Sequence, residues 1–268
     1  MSHYQRIACL STESVEVLYA LDAEELIAGI SGYTTRPARA RSEKPKISGF
    51  SSGKLDRILA VQPDLVIAYS NMQAELSRDL ISVGIEVHAF NQRDVAGILR
   101  MIAVLATLVD KKEQGAQLIA SLQEQIDVAK TQAAQWTQSK RRPKIYFEEW
   151  DSPMMSCIGW VSELIEIAGG QDAFADLAQF HNAKERIIAD PAEVVKRAPD
   201  IIIGSWCGKK FRPETLAERA GWQEIPALKN RQVFEIKSAD ILSPGPSVIT
   251  HGLPQLQKMI CDWQQAHH

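Results

Sequence analysis

Two segments of this chain gather side chains able to do chemistry. Glu148-Glu149-Trp150-Asp151 sets three acids around a tryptophan, and Trp206-Cys207-Gly208-Lys209-Lys210-Phe211-Arg212 puts a thiol beside two lysines. Two carboxylates of unlike proton affinity could run acid–base chemistry. A thiol beside lysines could act as a nucleophile or metal ligand. Neither set is complete, because no histidine neighbours either segment to serve as base or orienting group. The acids read better as acceptors for amide or ammonium groups of a ligand, and Cys207 as a buried neutral thiol in a solvated basic loop. No catalytic residue is assigned, and the chain is expected not to be an enzyme.

A third concentration is basic: Arg36, Arg39, Arg41, Lys44 and Lys46. It could attract a phosphate or carboxylate. Such runs usually serve solubility, so only Arg36, nearest a predicted strand end, is taken as a ligand contact. The six histidines include no HxxxH pair, and the four cysteines (Cys9, Cys157, Cys207, Cys261) include no CxxC pair. No metal site built from side chains is therefore expected. His267-His268 reads as a frayed tail.

The elements that must position these groups follow a regular rhythm. Apolar runs at 7–10, 26–30, Leu65–Tyr69 and 85–90 read as strands. The segments 13–21, 55–61 and 75–83 between them read as helices, and 36–46 as a loop. Continuous apolar strands separated by helices argue a parallel sheet buried on both faces. A helix is expected up to Asp110. From Lys112 to Thr137, apolar residues at 119, 122, 126, 129, 133 and 136 make one helical stripe, which Ser139-Lys140-Arg141-Arg142-Pro143 breaks. Strands at 144–147, 201–203 and 232–236, with helices at 161–168, Ala192–Arg197 and 247–264, then repeat the pattern. The repeat has a signature: Ile58-Leu59 before Pro63-Asp64-Leu65-Val66-Ile67, and Val194-Val195 before Pro199-Asp200-Ile201-Ile202-Ile203. The two Pro-Asp pairs stand 136 residues apart, so an internal duplication is expected.

The chain has 268 residues, 45% apolar and 24% charged, with net charge −3. That suits two small globular lobes. It excludes a nucleic-acid binder, which needs a strongly basic face, and no run is long enough to span a membrane. Met1–Gln5 leads directly into the first strand without a secretory pattern, and four dispersed cysteines suit a reducing compartment. The chain as written reads as cytoplasmic, or as periplasmic if it is a trimmed mature form.

Ligands of open parallel sheets sit beyond the carboxyl ends of the strands. The candidate contacts are therefore Tyr33, Arg36, Phe50, Tyr69, Glu149, Trp150, Trp206, Cys207 and Lys237. Their aromatic rings suit a planar partner. Trp160 and Trp222 read as packing residues.

Four stretches resemble one family: 6–16, 55–68 (Leu55-Asp56-Arg57-Ile58-Leu59 through Pro63-Asp64 to Ala68), 160–170 (Trp160-Val161-Ser162-Glu163-Leu164 to Gly169-Gly170) and 197–206. The family is that of substrate-binding proteins with a rigid helical backbone, and the cobalamin-binding members are the most similar. The resemblance implies an α/β fold of two Rossmann-like parallel-sheet lobes: 1–110, a backbone helix at 111–139, and 140–268. It implies a ligand cleft between the lobes, with Phe50 and Tyr69 where cobalamin-binding members place aromatic contacts. Function is then binding of cobalamin or a related corrinoid or tetrapyrrole by a monomer with no cofactor of its own. The alternatives are a ferric siderophore or haem, or a cytoplasmic enzyme or carrier on the same fold. Exported members present one surface acid per lobe to an ABC permease. Glu75 matches the first. At the second the chain has Ala192, with Glu193 one residue on, which turns a helical side chain by about 100°.

Overall fold

The computed structural model describes residues 3–137 and 141–267. The expected break at Ser139-Lys140, the expected boundary there and the tail residue His268 lie outside the described residues. The chain divides into two compact units. The first takes residues up to Leu122 together with Pro244–Pro246, and the second takes the remainder from Gln123.

The first unit contains β1 (Ile7–Cys9), α1 (Thr12–Ala20), β2 (Ile27–Ser31), α2 (Ala40–Glu43), β3 (Lys46–Ser48) and α3 (Leu55–Leu59). β4 (Leu65–Tyr69), α4 (Ala74–Ser82), β5 (Val87–Phe90), α5 (Val95–Leu108) and the start of α6 (Lys112–Thr137) follow. Its sheet has the order β3-β2-β1-β4-β5 and every pairing is parallel. The central strands β1 and β4 are buried at every residue, as their unbroken apolar sequences require. The expected loop at 36–46 instead holds α2 and leads into β3. Only Ile47 of β3 is buried, so one apolar residue was the whole strand signal. Its conformation comes from pairing with β2 rather than from its own pattern.

The second unit contains β6 (Lys144–Asp151), β7 (Met154–Ser156), α7 (Gly159–Ile167), β8 (Gln171–Asp172) and α8 (Ala175–Ala178). It continues with α9 (Ala192–Arg197), β9 (Ile201–Gly204), α10 (Pro226–Lys229), β10 (Val233–Glu235), α11 (Ser238–Ile241) and α12 (Leu253–Ala266). β10, β9 and β6 are parallel. The sheet is not purely parallel as expected, because β7 folds back antiparallel on the second half of β6. That hairpin extends β6 four residues beyond the expected 144–147. β8 pairs with the first half of β6. The division between the units falls inside α6, between Leu122 and Gln123.

The duplication is visible in backbone detail. Gln62 and Ala198, each just before the proline, both sit in the left-handed region, at φ 47° and 48°. A residue before proline is kept out of the right-handed helix, so each short helix ends there and the chain turns into a buried strand. The aspartate that follows then holds the start of the central strand. Asp64 N donates to Arg6 O at 3.0 Å, and its carboxylate accepts from the backbone N–H groups of Gln5 and Arg6 at 2.7 and 3.0 Å. Asp200 N donates to Lys144 O at 2.8 Å, and its carboxylate accepts from Lys144 N at 2.8 Å. Asp200 also takes a two-point contact from the Arg141 guanidinium, both bonds 2.8 Å.

Because Asp200 is buried and holds the Arg141 guanidinium, whereas Asp64 is exposed and accepts from backbone N–H groups, the two should differ in cost. Asp200→Ala is expected to lower unfolding stability by about 2–3 kcal/mol, and Asp64→Ala by about 1 kcal/mol. Urea titrations of both variants check this. Equal stability of Asp200→Ala and the parent would contradict the shared strand-start role.

Candidate functional site

In the first unit the carboxyl ends of the strands are organised by a few polar side chains. Gln73, 4% exposed, is the hub. Its Oε1 accepts from Tyr69 N at 2.9 Å, and its Nε2 donates to Leu10 O at 3.1 Å and to Phe50 O at 2.7 Å. One amide thus ties the exits of β1, β3 and β4. Ser70 makes this possible by turning the chain sharply at φ 56° after β4, with its Oγ accepting from Met72 N. The turn after β2 is fixed from two sides. Ser31 Oγ donates to Gly49 O at 3.1 Å, and Arg41 donates to Gly32 O and Thr34 O at 2.8 and 2.7 Å. Tyr33 and Phe50 are thereby held edge to face, ring centroids 6.1 Å apart, while staying 57% and 41% exposed. Nearby, Thr34 Oγ1 and Ser48 Oγ are buried without a hydrogen-bond partner among the described residues.

Glu13 opens α1 directly after β1 and is buried. Burial raises its pKa to about 7, although hydrogen bonds involving Ser11, Thr12 and Gln92 pull the other way. Gln92 Nε2 reaches Glu13 at 3.4 Å and Pro244 O at 3.0 Å.

In the second unit, the fully buried Glu148 collects Tyr146 Oη at 2.9 Å, Trp206 Nε1 at 3.1 Å, and Arg219 at 2.5 and 3.0 Å. Arg219 also lies over the Trp222 ring, 4.4 Å from its centroid. Burial first, then the Glu148 charge, raises the Tyr146 pKa well above the usual phenol range. The acids expected as ligand acceptors are thus tied to cations of the same unit, one buried and one exposed. Glu149 pairs with the buried Arg186 at 2.6 Å, and Asp151 with Lys209 at 2.5 Å.

The expected contacts therefore divide. Tyr33 and Phe50 come together at the exit edge of the first sheet and face solvent. Arg36 is half-buried in the segment that follows Tyr33. Tyr69 is buried, its hydroxyl donating to Gln92 O at 3.5 Å. Trp206 is not an open face: it is 4% exposed, bonded to Glu148 and packed edge-on against Phe211 at 5.0 Å. Phe211 can lie there because residue 204 is glycine, where any Cβ would overlap its ring. Trp150 is half-buried beneath Lys209 and donates to Ser152 O. Lys237 is exposed and pairs with Glu235 at 2.6 Å. Cys207 is exposed, not buried as expected. Desolvation of the thiol raises its pKa, which keeps it protonated. Cys9 is buried and pushed up to about 12 by burial. Trp160 and Trp222 are core residues.

Glu75 is exposed in the first turn of α4, and Glu193 is half-buried in the first turn of α9, 3.5 Å from Lys196. The repeat makes these positions non-equivalent, since α4 follows β4 whereas α9 precedes β9. The helical turn that follows β9 is Pro213–Leu216, which carries the exposed Glu214.

Sequence reasoning missed Gln73, Gln92, Glu13, Arg186 and Arg219. Only Glu13 left a local signal, as an acid beginning a helix straight after a buried strand. Among the described residues no group of three His, Cys, Asp or Glu side chains could hold a metal ion, and no helix is long and apolar enough to cross a membrane.

The family model described as "Periplasmic binding protein" matches residues 7–239. A vitamin B12-binding protein of Vibrio parahaemolyticus is 24% identical over 250 residues, which is 91% of this chain and 86% of that one. An uncharacterized ABC transporter substrate-binding lipoprotein of Bacillus subtilis is 22% identical over 264 residues, covering 96% and 80%. Among solved structures, a periplasmic heme-binding protein from Roseiflexus sp. RS-1 superposes with a TM-score of 0.83 at 20% identity, over 97% of this chain and 99% of that one.

Removing the Arg219 guanidinium strands a buried carboxylate, so Arg219→Ala is expected to cost about 3–5 kcal/mol in urea unfolding. Adding Glu148→Gln should recover part of that, and identical stability of single and double variants would contradict the coupling. Glu13 gives a pH dependence. Its folded pKa lies above the ordinary value of 4.5, so the folded state holds the proton more tightly and stability falls as pH rises from about 4.5 to 7. Glu13→Gln is expected to remove that fall and to be the more stable form at pH 8, by up to about 3 kcal/mol. Parallel urea midpoints of parent and variant at pH 5 and 8 would contradict it.

Proposed function

Because the chain belongs to the periplasmic binding protein family, we propose that it binds one large ring ligand, a cobalamin or a related corrinoid or tetrapyrrole, at the carboxyl edge of the first unit's sheet. Its family is one of binding proteins, not of enzymes. The observation that carries the ligand reading is the Tyr33–Phe50 pair. Two large rings left exposed yet held in fixed geometry are unusual for solvent-facing residues, and they offer a macrocycle an apolar, stackable surface. Their backbones are already fixed by Arg41, Ser31 and Gln73, so little ordering remains to oppose binding.

The reading includes delivery to an ABC permease. Glu75 offers an exposed acid in the first unit, and the repeat favours Glu214, in the turn after β9, as its counterpart over Glu193. It also favours work outside the cytoplasm, the second of the two locations the sequence left open.

Calorimetric titration with cyanocobalamin and with haemin tests the ligand. Saturable binding of one of them is expected, weakened by about 1–2 kcal/mol in Tyr33→Ala and in Phe50→Ala. Binding of neither ring would overturn the reading, and saturation by a ferric hydroxamate instead would support the siderophore alternative.

A further inference from the structure

Arg93 follows β5 by three residues, at the same sheet edge, and is half-buried. Apart from Arg36, which is half-buried and engaged in an interaction of its own, the other half-buried or buried arginines, 142, 186, 197 and 219, each pair with a carboxylate: Glu166, Glu149, Asp176 and Glu148. Arg93 has no carboxylate partner among the described residues. Its Nε is shielded from solvent and makes no hydrogen bond. Its guanidinium lies over the Tyr69 ring, 5.8 Å from the centroid. The acid beside it in sequence, Asp94, is committed to capping α5, accepting from Gly97 N at 2.5 Å. A partly desolvated cation without an anion is costly, and a protein of net charge −3 had acids to place there.

We propose that Arg93, seated on Tyr69, is an anion subsite that takes a carboxylate or phosphate group of the bound ligand. The guanidinium fork suits both groups, giving charge-assisted hydrogen bonds. Tyr69 lies beneath the guanidinium, and the shielded, unbonded Nε leaves the cation short of a partner that an anion at its open side would supply. The basic segment at 36–46 does not fill this role so directly, since Arg39 is taken up by Glu24 and Arg41 by the Gly32 and Thr34 carbonyls. The ring ligand comes from the proposed function, whereas the anion site stands on Arg93 itself.

The test uses two ligand pairs, each with and without the anionic group: haemin against its dimethyl ester, and cyanocobalamin against dicyanocobinamide, which lacks the phosphodiester. The first pair reports a propionate source and the second a phosphate source. Arg93→Gln is expected to weaken the anionic member that binds by about 10- to 100-fold and to leave its uncharged counterpart within twofold. Arg93→Lys should retain part of the affinity. Equal weakening of both members, or of neither, overturns the subsite. The ring reading can fail separately, so the Arg93 Nε–Hε NMR resonance, assigned by its loss in Arg93→Lys, is also titrated with inorganic phosphate and with acetate. A saturable shift supports the subsite even if no macrocycle binds. No shift with either anion overturns it.

Discussion

A parallel sheet leaves backbone donors and acceptors unpaired at both ends of every strand, and those at its centre are buried. Each unit of this protein meets that constraint with side chains at fixed places in its repeat. At the strand starts, a carboxylate set by a Pro-Asp turn takes up the N–H groups of the central strand: Asp64 for β1 and Asp200 for β6. At the strand exits the units diverge. The first uses a neutral amide, Gln73, which ties three exits together through backbone groups alone. The second uses a buried carboxylate, Glu148, which draws in a phenol, an indole and a guanidinium and so fills the same space with side chains.

That divergence explains where exposed aromatic surface survives. Around Glu148 the rings are drawn inward by polar atoms that must find partners in a dry interior. Around Gln73 the polar needs are met by backbone carbonyls, and the rings of Tyr33 and Phe50 are spared to face out. The same edge holds the buried hydroxyls of Thr34 and Ser48, without hydrogen-bond partners among the described residues. Binding surfaces commonly keep such unsatisfied groups where a stability-optimised surface would not.

Much of the architecture was legible because its signals are local. The Pro-Asp repeat, the fully apolar β4 and the helical stripe of α6 each declare themselves within a dozen residues, and β4, α6 and α9 have the expected bounds. β3, β7 and β8 did not, since strands of two or three residues take their conformation from a neighbour. The rule that ligands lie beyond strand ends points to Tyr33 and Phe50, which the structure leaves exposed, and to Trp206, which it buries against a carboxylate 58 positions away. Gln73 and Gln92 are ordinary residues in the sequence, and their importance lies in carbonyls brought to them from 63 and 152 positions away.

The carboxyl edge of the first sheet is the proposed ligand-bearing surface. Hydrogen exchange of backbone amides, measured by mass spectrometry with and without a saturating macrocycle, tests it most directly. Slowed exchange is predicted in peptides covering 31–34, 49–53, 69–73 and 91–93. Unchanged exchange in all four, with slowing confined to other segments, would contradict it.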